Sequence, residues 1–194
     1  MPVLTAFVLG MFSMGFQLLG SRLLNPWFGS SIQVWAFLIS TFLAAFSAGS
    51  FLGAWIVGLS GRKFSLGFFA ILVTGTLGFL GNASLGRSFL SWLDMALGQS
   101  PFALGLSTTI LFFPPVCALA AVTPILIQRL HEQGTSAGFA SGVIYAVGTM
   151  GNIVGIMVTV FFMIPRWPVS LLLWIWTVAM AITSFFAWQC FRRA

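Results

Sequence analysis

Ala44-Ala45-Phe46-Ser47-Ala48-Gly49-Ser50-Phe51-Leu52-Gly53 and, further along, Ala146-Val147-Gly148-Thr149-Met150-Gly151-Asn152-Ile153-Val154-Gly155 decide how this chain is read. Both stretches are small and apolar, with Gly49 and Gly53 in the first matched by Gly151 and Gly155 in the second. A spacing of four is close to one helical turn, so each glycine pair lies on one face and lets another backbone come close. Polar residues also match: Ser47 and Ser50 fall opposite Thr149 and Asn152. Small residues at this spacing are common wherever helices pack in lipid. The matched polar positions point beyond that to an internal repeat. So do Ser21-Arg22-Leu23 upstream of one copy and Gln128-Arg129-Leu130 upstream of the other.

The medium follows from the rest of the chain. Of 194 residues, 59% are hydrophobic and 5% are Asp, Glu, Lys or Arg, and the mean hydropathy is +1.07. Soluble chains carry roughly a quarter charged residues, so the lipid bilayer must solvate most of this surface. A hydrocarbon core of about 30 Å takes roughly 20 apolar residues per helix. Six such runs separate at polar or Gly/Pro punctuation: Val3–Gly20, Ile32–Gly58, Phe64–Gly81, Phe102–Val122, Ala137–Ile164 and Pro168–Cys190. The second and fifth are long enough to require tilt or an interfacial extension. Met1 to Gly20 lacks the Lys or Arg that opens a signal peptide, so it reads as a span that stays. Three spans per copy make the two copies cross in opposite directions. The expected fold is an all-α membrane protein with six transmembrane helices as an inverted 3+3 repeat, resembling one half of a major facilitator transporter. Residues 1–194 form one domain, with repeat 1 over 1–81, an outer connection over 82–101 and repeat 2 over 102–194.

Charge sets the orientation. The net charge is +6, but the basic residues stand singly or in pairs between apolar runs, which excludes nucleic acid as a partner. Alternating loops place Arg62, Lys63, Arg129, Arg192 and Arg193 on one side and Arg22, Arg87 and Arg166 on the other. The richer side is cytoplasmic by the positive-inside rule, and both termini lie there. Between Asn82 and Pro101, Phe89, Leu90, Trp92, Leu93 and Leu97 recur at helical spacing among Ser88, Ser91, Asp94 and Gln99, which predicts a short amphipathic helix at the outer interface. Cys117 and Cys190 make neither a disulfide framework nor a metal cluster.

Reaction chemistry is hard to build from these residues. His131, the only histidine, adjoins Glu132 in an expected loop, and Asp94 falls on the opposite side. No triad, carboxylate pair or metal-ligand spacing results, so neither enzyme activity nor a cofactor is expected. A transport site instead needs polar groups inside the membrane. Ser141, Tyr145, Thr149 and Asn152 share one face of the fifth span, while Ser40, Ser47 and Ser50 make a weaker face on the second. Gln17, on the first span, needs a polar partner at that depth. Candidate solute-binding residues are therefore Gln17, Ser47, Ser50, Tyr145, Thr149 and Asn152. Helix packing explains the same face equally well, and both readings stand at this point. Pro114 and Pro115 remove two backbone donors in the fourth span and should kink or break it, as a gating hinge or as a static bend. The third and sixth spans lack a polar face and suit lipid, with Trp167, Trp174, Trp176 and Trp188 partly marking interfaces. The first, second, fourth and fifth spans then enclose a cavity.

The run Met14-Gly15-Phe16-Gln17-Leu18-Leu19-Gly20-Ser21-Arg22-Leu23-Leu24-Asn25-Pro26-Trp27-Phe28-Gly29-Ser30-Ser31, followed by Val34-Trp35, resembles the first helix and loop of fused spermidine synthase-like membrane proteins. Thr123-Pro124 to Arg129, leading into Gly142 to Gly155, resembles that family's fourth-to-fifth helix junction. The resemblance implies a six-helix, major-facilitator-like domain in a bacterial cytoplasmic membrane. The family's soluble synthase part is not in these residues, so aminopropyl transfer is not carried over. Gln17 also stands where an acidic residue would be expected, which puts carboxylate-based coupling in doubt. The expected function is a half-size transporter working as a homodimer on a small organic solute. The family name points to polyamines, but the spans lack carboxylates to neutralise a multiply charged cation. A neutral or weakly charged small molecule is physically easier. The alternatives are a non-transporting module that anchors or regulates a separate synthase-like enzyme, and a channel or scaffold.

Overall fold

A computed structural model of the chain describes residues 2–192, with side chains through Gln189. The side chains of Cys190 and Arg192, and Arg193 as a whole, lie outside the described residues. The described chain is helical throughout, with no strand: α1 (Pro2–Phe28), α2 (Ile32–Val57), α3 (Gly61–Ser84), α4 (Gly86–Leu97), α5 (Pro101–Glu132), α6 (Ala137–Met157), a π turn (Val158–Met163) and α7 (Val169–Arg192). All but α4 are membrane-spanning by length and composition, with α6 and its π turn counting as one span, which makes six. This is a multi-pass integral membrane protein.

Two spans run well past their expected ends. α1 continues through Ser21-Arg22-Leu23-Leu24-Asn25, which reads as a loop by composition, because Leu23 and Leu24 are buried in the bundle. It stops at Gly29, whose φ of 68° breaks the helix while its N–H still reaches the Asn25 carbonyl at 2.9 Å. α5 extends ten residues beyond Val122, with Ile125 and Leu126 buried, and spans about 48 Å at 1.5 Å per residue. His131 and Glu132 thus belong to its last turn and not to a loop. Helix starts follow capping rules: Ser31, Ser100 and Ser136 accept from the N–H groups of Val34, Ala103 and Phe139 at 3.3, 3.2 and 3.4 Å.

The tightest pairings are α2 with α5 and α1 with α6. A β-carbon at Gly49 or Gly53 would collide with the backbone carbonyl of Cys117 or Ala121. One at Gly151 or Gly155 would collide with that of Phe7 or Met11. Gly10, not singled out by the repeat, does the same on α1, where an added β-carbon would strike the Gly148 carbonyl. The middle of the bundle is aromatic: Phe16, Phe42, Phe79 and Phe112, from four helices, are fully buried in ring contact at centroid distances of 4.3–6.3 Å. Trp176 joins this core instead of an interface; it packs edge-on against Phe12 and donates to the Phe12 carbonyl at 3.3 Å.

The proline pair does not break α5, and one of the two carbonyls it deprives of a helix donor gains another. Pro115 cannot donate to the Leu111 carbonyl one turn back. Asn82 of α3 takes that role: its Nδ2 donates to Leu111 O at 2.6 Å and to Gly78 O at 2.9 Å. A β-carbon at Gly78 would sit 2.7 Å from the Pro115 ring, so α3 is fitted onto the proline. α4 likewise docks in protein, burying Leu90 and Leu93 while Trp92 and Met95 point outward. Nor are α3 and α7 purely lipid-facing, since they share a Thr76–Ser184 hydroxyl contact at 3.3 Å. The least buried span is α6, at 17% of its apolar window.

Candidate solute groove

Close approach of α1 to α6 creates the groove. Because Gly10 has no side chain, α1 lies against Gly148 and Asn152 of α6, and Ser13, nearly one turn on, lines the same depression. α2 contributes Phe46 and Ser50, and α5 contributes Leu119, Ala120 and Thr123. α6 supplies Ile144, Tyr145, Gly148, Thr149 and Asn152. The depression holds about 290 Å³, enough for a small organic molecule. It is bounded by the first, second, fourth and fifth spans.

Of the expected solute-binding residues, Ser50, Tyr145, Thr149 and Asn152 meet here. Gln17 and Ser47 do not. Gln17 lines a separate, largely apolar recess with Met14, Trp35, Ile39, Leu43 and Ile156, and shares only Phe46 with the groove. Ser47 is exposed on α2 and lines neither. Pro114 and Pro115 do not line the groove, and Pro115 packs against α3. Composition gave no signal for Ser13 and Thr123, each a lone hydroxyl in an apolar run. Only the helix crossings bring them to the other four.

The hydrogen bonds of these side chains separate them from the core. Thr149 donates to its own helix at the Tyr145 carbonyl, at 2.8 Å. Ser13 is only 4% exposed, and its hydroxyl has no partner. Among the described residues, no hydrogen bond joins the side chains of Ser50, Thr123, Tyr145 or Asn152 to protein. No carboxylate, amine, guanidinium or imidazole lines the groove. The charged groups gather elsewhere: Arg129 and Glu132 face each other at 3.7 Å beside the α2–α3 connection. His131 Nδ1 donates to the Thr135 carbonyl at 2.7 Å, because a carbonyl can only accept. Among the described residues no three His, Cys, Asp or Glu side chains come together as metal ligands would.

Set beside known proteins, the chain matches no family model, no curated sequence and no solved structure.

Proposed function

We propose that this chain is a half-size, major-facilitator-like transporter that acts as a homodimer, with the groove as one wall of a central path for a small organic solute. The observation that carries the reading is a recess of unpartnered polar side chains on the least covered span, α6. Polar groups left against lipid are unfavourable, and a second copy facing this surface would enclose them. The aromatic centre supports the same geometry: Phe16, Phe42, Phe79 and Phe112 fill the bundle, so a path runs along its face and not through it.

An inverted 3+3 repeat accounts for the packing. Exchanging α1 with α5 and α2 with α6 carries the Gly49/Gly53 contact on Cys117 and Ala121 onto the Gly151/Gly155 contact on Phe7 and Met11. Both contacts keep a four-residue step, although they fall three residues further along α5 than a match of Arg22 with Arg129 implies. Orientation with both termini in the cytoplasm is supported by the shared recess at one end of the bundle, where Gly61, beside Arg62 and Lys63, meets Arg129. The resemblance to fused synthase-like membrane proteins gives a bacterial cytoplasmic membrane as the setting.

Subunit counting in nanodiscs, or native mass spectrometry from membranes, tests the reading. A stable dimer is expected. A clean monomer would overturn the homodimer and move the assignment to a membrane module that anchors or regulates a separately encoded synthase-like enzyme.

A further inference from the structure

We infer that the groove is a hydrated site for an uncharged solute rich in hydroxyl or amide groups, and that Ser13 and Thr123 belong to its ligand set. This deepens the transporter reading above and rests on it for the passage of the solute, though not for its binding. The first observation is Ser13 itself, 4% exposed, with an unpartnered hydroxyl in the groove lining. Two other buried polar atoms, Asn82 Oδ1 and Thr159 Oγ1, also lack a partner among the described residues, but neither residue lines the groove, and most polar side chains at such depth are paired. Thr41 donates to Thr108 at 3.2 Å, Thr76 meets Ser184 at 3.3 Å, and Asn82 donates to the Leu111 carbonyl. In the groove lining, an unpartnered hydroxyl is a group that water or a ligand would satisfy.

The second observation concerns Pro124. It has no N–H to give to the Ala120 carbonyl, and Ala120 lines the groove. The same defect at Pro115 is repaired by Asn82, but among the described residues no side chain donates to Ala120. The Ala120 carbonyl, short of its usual helix donor, belongs to a residue that lines the groove, beside side chains that both donate and accept: the hydroxyls of Ser13, Ser50, Thr123 and Tyr145, and the Asn152 amide. A solute that matches them presents donors and acceptors in similar number, as polyols and small amides do. A buried cation or anion would lack a counter-charge here and is disfavoured.

Thiol labelling reads both wetness and charge preference. In chains carrying Cys117→Ala and Cys190→Ala, Ser13→Cys and Asn152→Cys are compared in nanodiscs with the exposed position Ile153→Cys. The probes are the 2-hydroxyethyl, trimethylammonioethyl and sulfonatoethyl methanethiosulfonates, each rate normalised to a free thiol. Only a hydrated thiol ionises and reacts, so both groove positions should label about tenfold faster than Ile153→Cys. The neutral reagent should lead both charged ones there. Labelling no faster than at Ile153→Cys would make the groove dry packing and overturn the inference. A charged reagent as fast as the neutral one would overturn the solute class. Ser50→Cys serves if Ser13→Cys fails to fold. Counting subunits in the same nanodiscs separates the two proposals: a monomer with a wet, charge-excluding groove sinks the homodimer alone, and a dimer with a dry groove sinks the site alone.

Discussion

The α2–α5 and α1–α6 pairs are built by the same device and left in different states. In each, two glycines four residues apart rest on backbone carbonyls of the facing helix. Around α2–α5 the polar groups that lie away from the groove are spent on packing: Thr41 bonds Thr108, and Asn82 of the neighbouring α3 bonds the Leu111 carbonyl. Along α1–α6 they are not, since among the described residues the side chains of Ser13, Tyr145 and Asn152 find no hydrogen-bond partner and Thr149 bonds only to its own turn. Identical small-residue packing can therefore serve a closed interface or the floor of an open one. What distinguishes them is whether the nearby polar side chains find protein partners.

The largest expected effect tests the shared half of that comparison. Gly53→Val and Gly151→Val each drive a side chain into a backbone carbonyl, which should destabilise by about 3 kcal/mol or prevent folding. Yield and SDS-titration midpoints would measure both. Tolerance at Gly151 with loss at Gly53 would break the equivalence of the two pairs. Next comes the proline repair. Asn82→Ala should cost about 1–3 kcal/mol by leaving the Leu111 carbonyl without a donor. Pro115→Ala restores an in-helix donor, so in the double variant the cost of Asn82→Ala should shrink by about 1 kcal/mol or more. Simple additivity in that cycle would mean that Asn82 does not serve the proline defect.

Smaller differences sharpen the other half. Thr41→Val removes a paired hydroxyl and should cost about 1 kcal/mol. Ser13→Ala removes an unpaired one and should leave stability unchanged or higher, within about 0.5 kcal/mol. Tyr145→Phe should be the quietest of all in the same titration, because the residue is 58% exposed and its hydroxyl has no hydrogen-bond partner among the described residues. A large loss at Ser13 would place it among the packing residues after all.

Much of this architecture is legible in the residues. Apolar length gives six spans, and the glycine spacing marks the surfaces where helices meet, because both depend on periodicity along one chain. Helix ends are less legible: Arg22, Asn25 and Pro26 read as loop chemistry, and only tertiary burial of Leu23 and Leu24 holds α1 together there. The proline pair announces a backbone defect but not its repair, since Asn82 lies on another helix. Four of the groove-lining residues are legible from the α2 and α6 faces. Gln17 lines a separate recess, because depth in the membrane does not fix which way a side chain points around α1. Ser13 and Thr123 escape because they join the others only where four helices cross.

The π turn at Val158–Met163 has a consequence in angle. The Ile164 N–H reaches back to the Thr159 carbonyl at 2.9 Å, a wider loop than an α turn, so the segment accommodates one residue more per turn. Each residue of an α-helix advances the side chains by about 100° of azimuth. Met163, the last residue of the turn, is buried, while Tyr145, Thr149 and Asn152 line the groove before it. Deleting one residue from 160–162 would re-phase the two sides, so that Met163 and Asn152 could not both keep their places. The turn acts as a phase spacer that sets the rotation at which α6 presents its polar face.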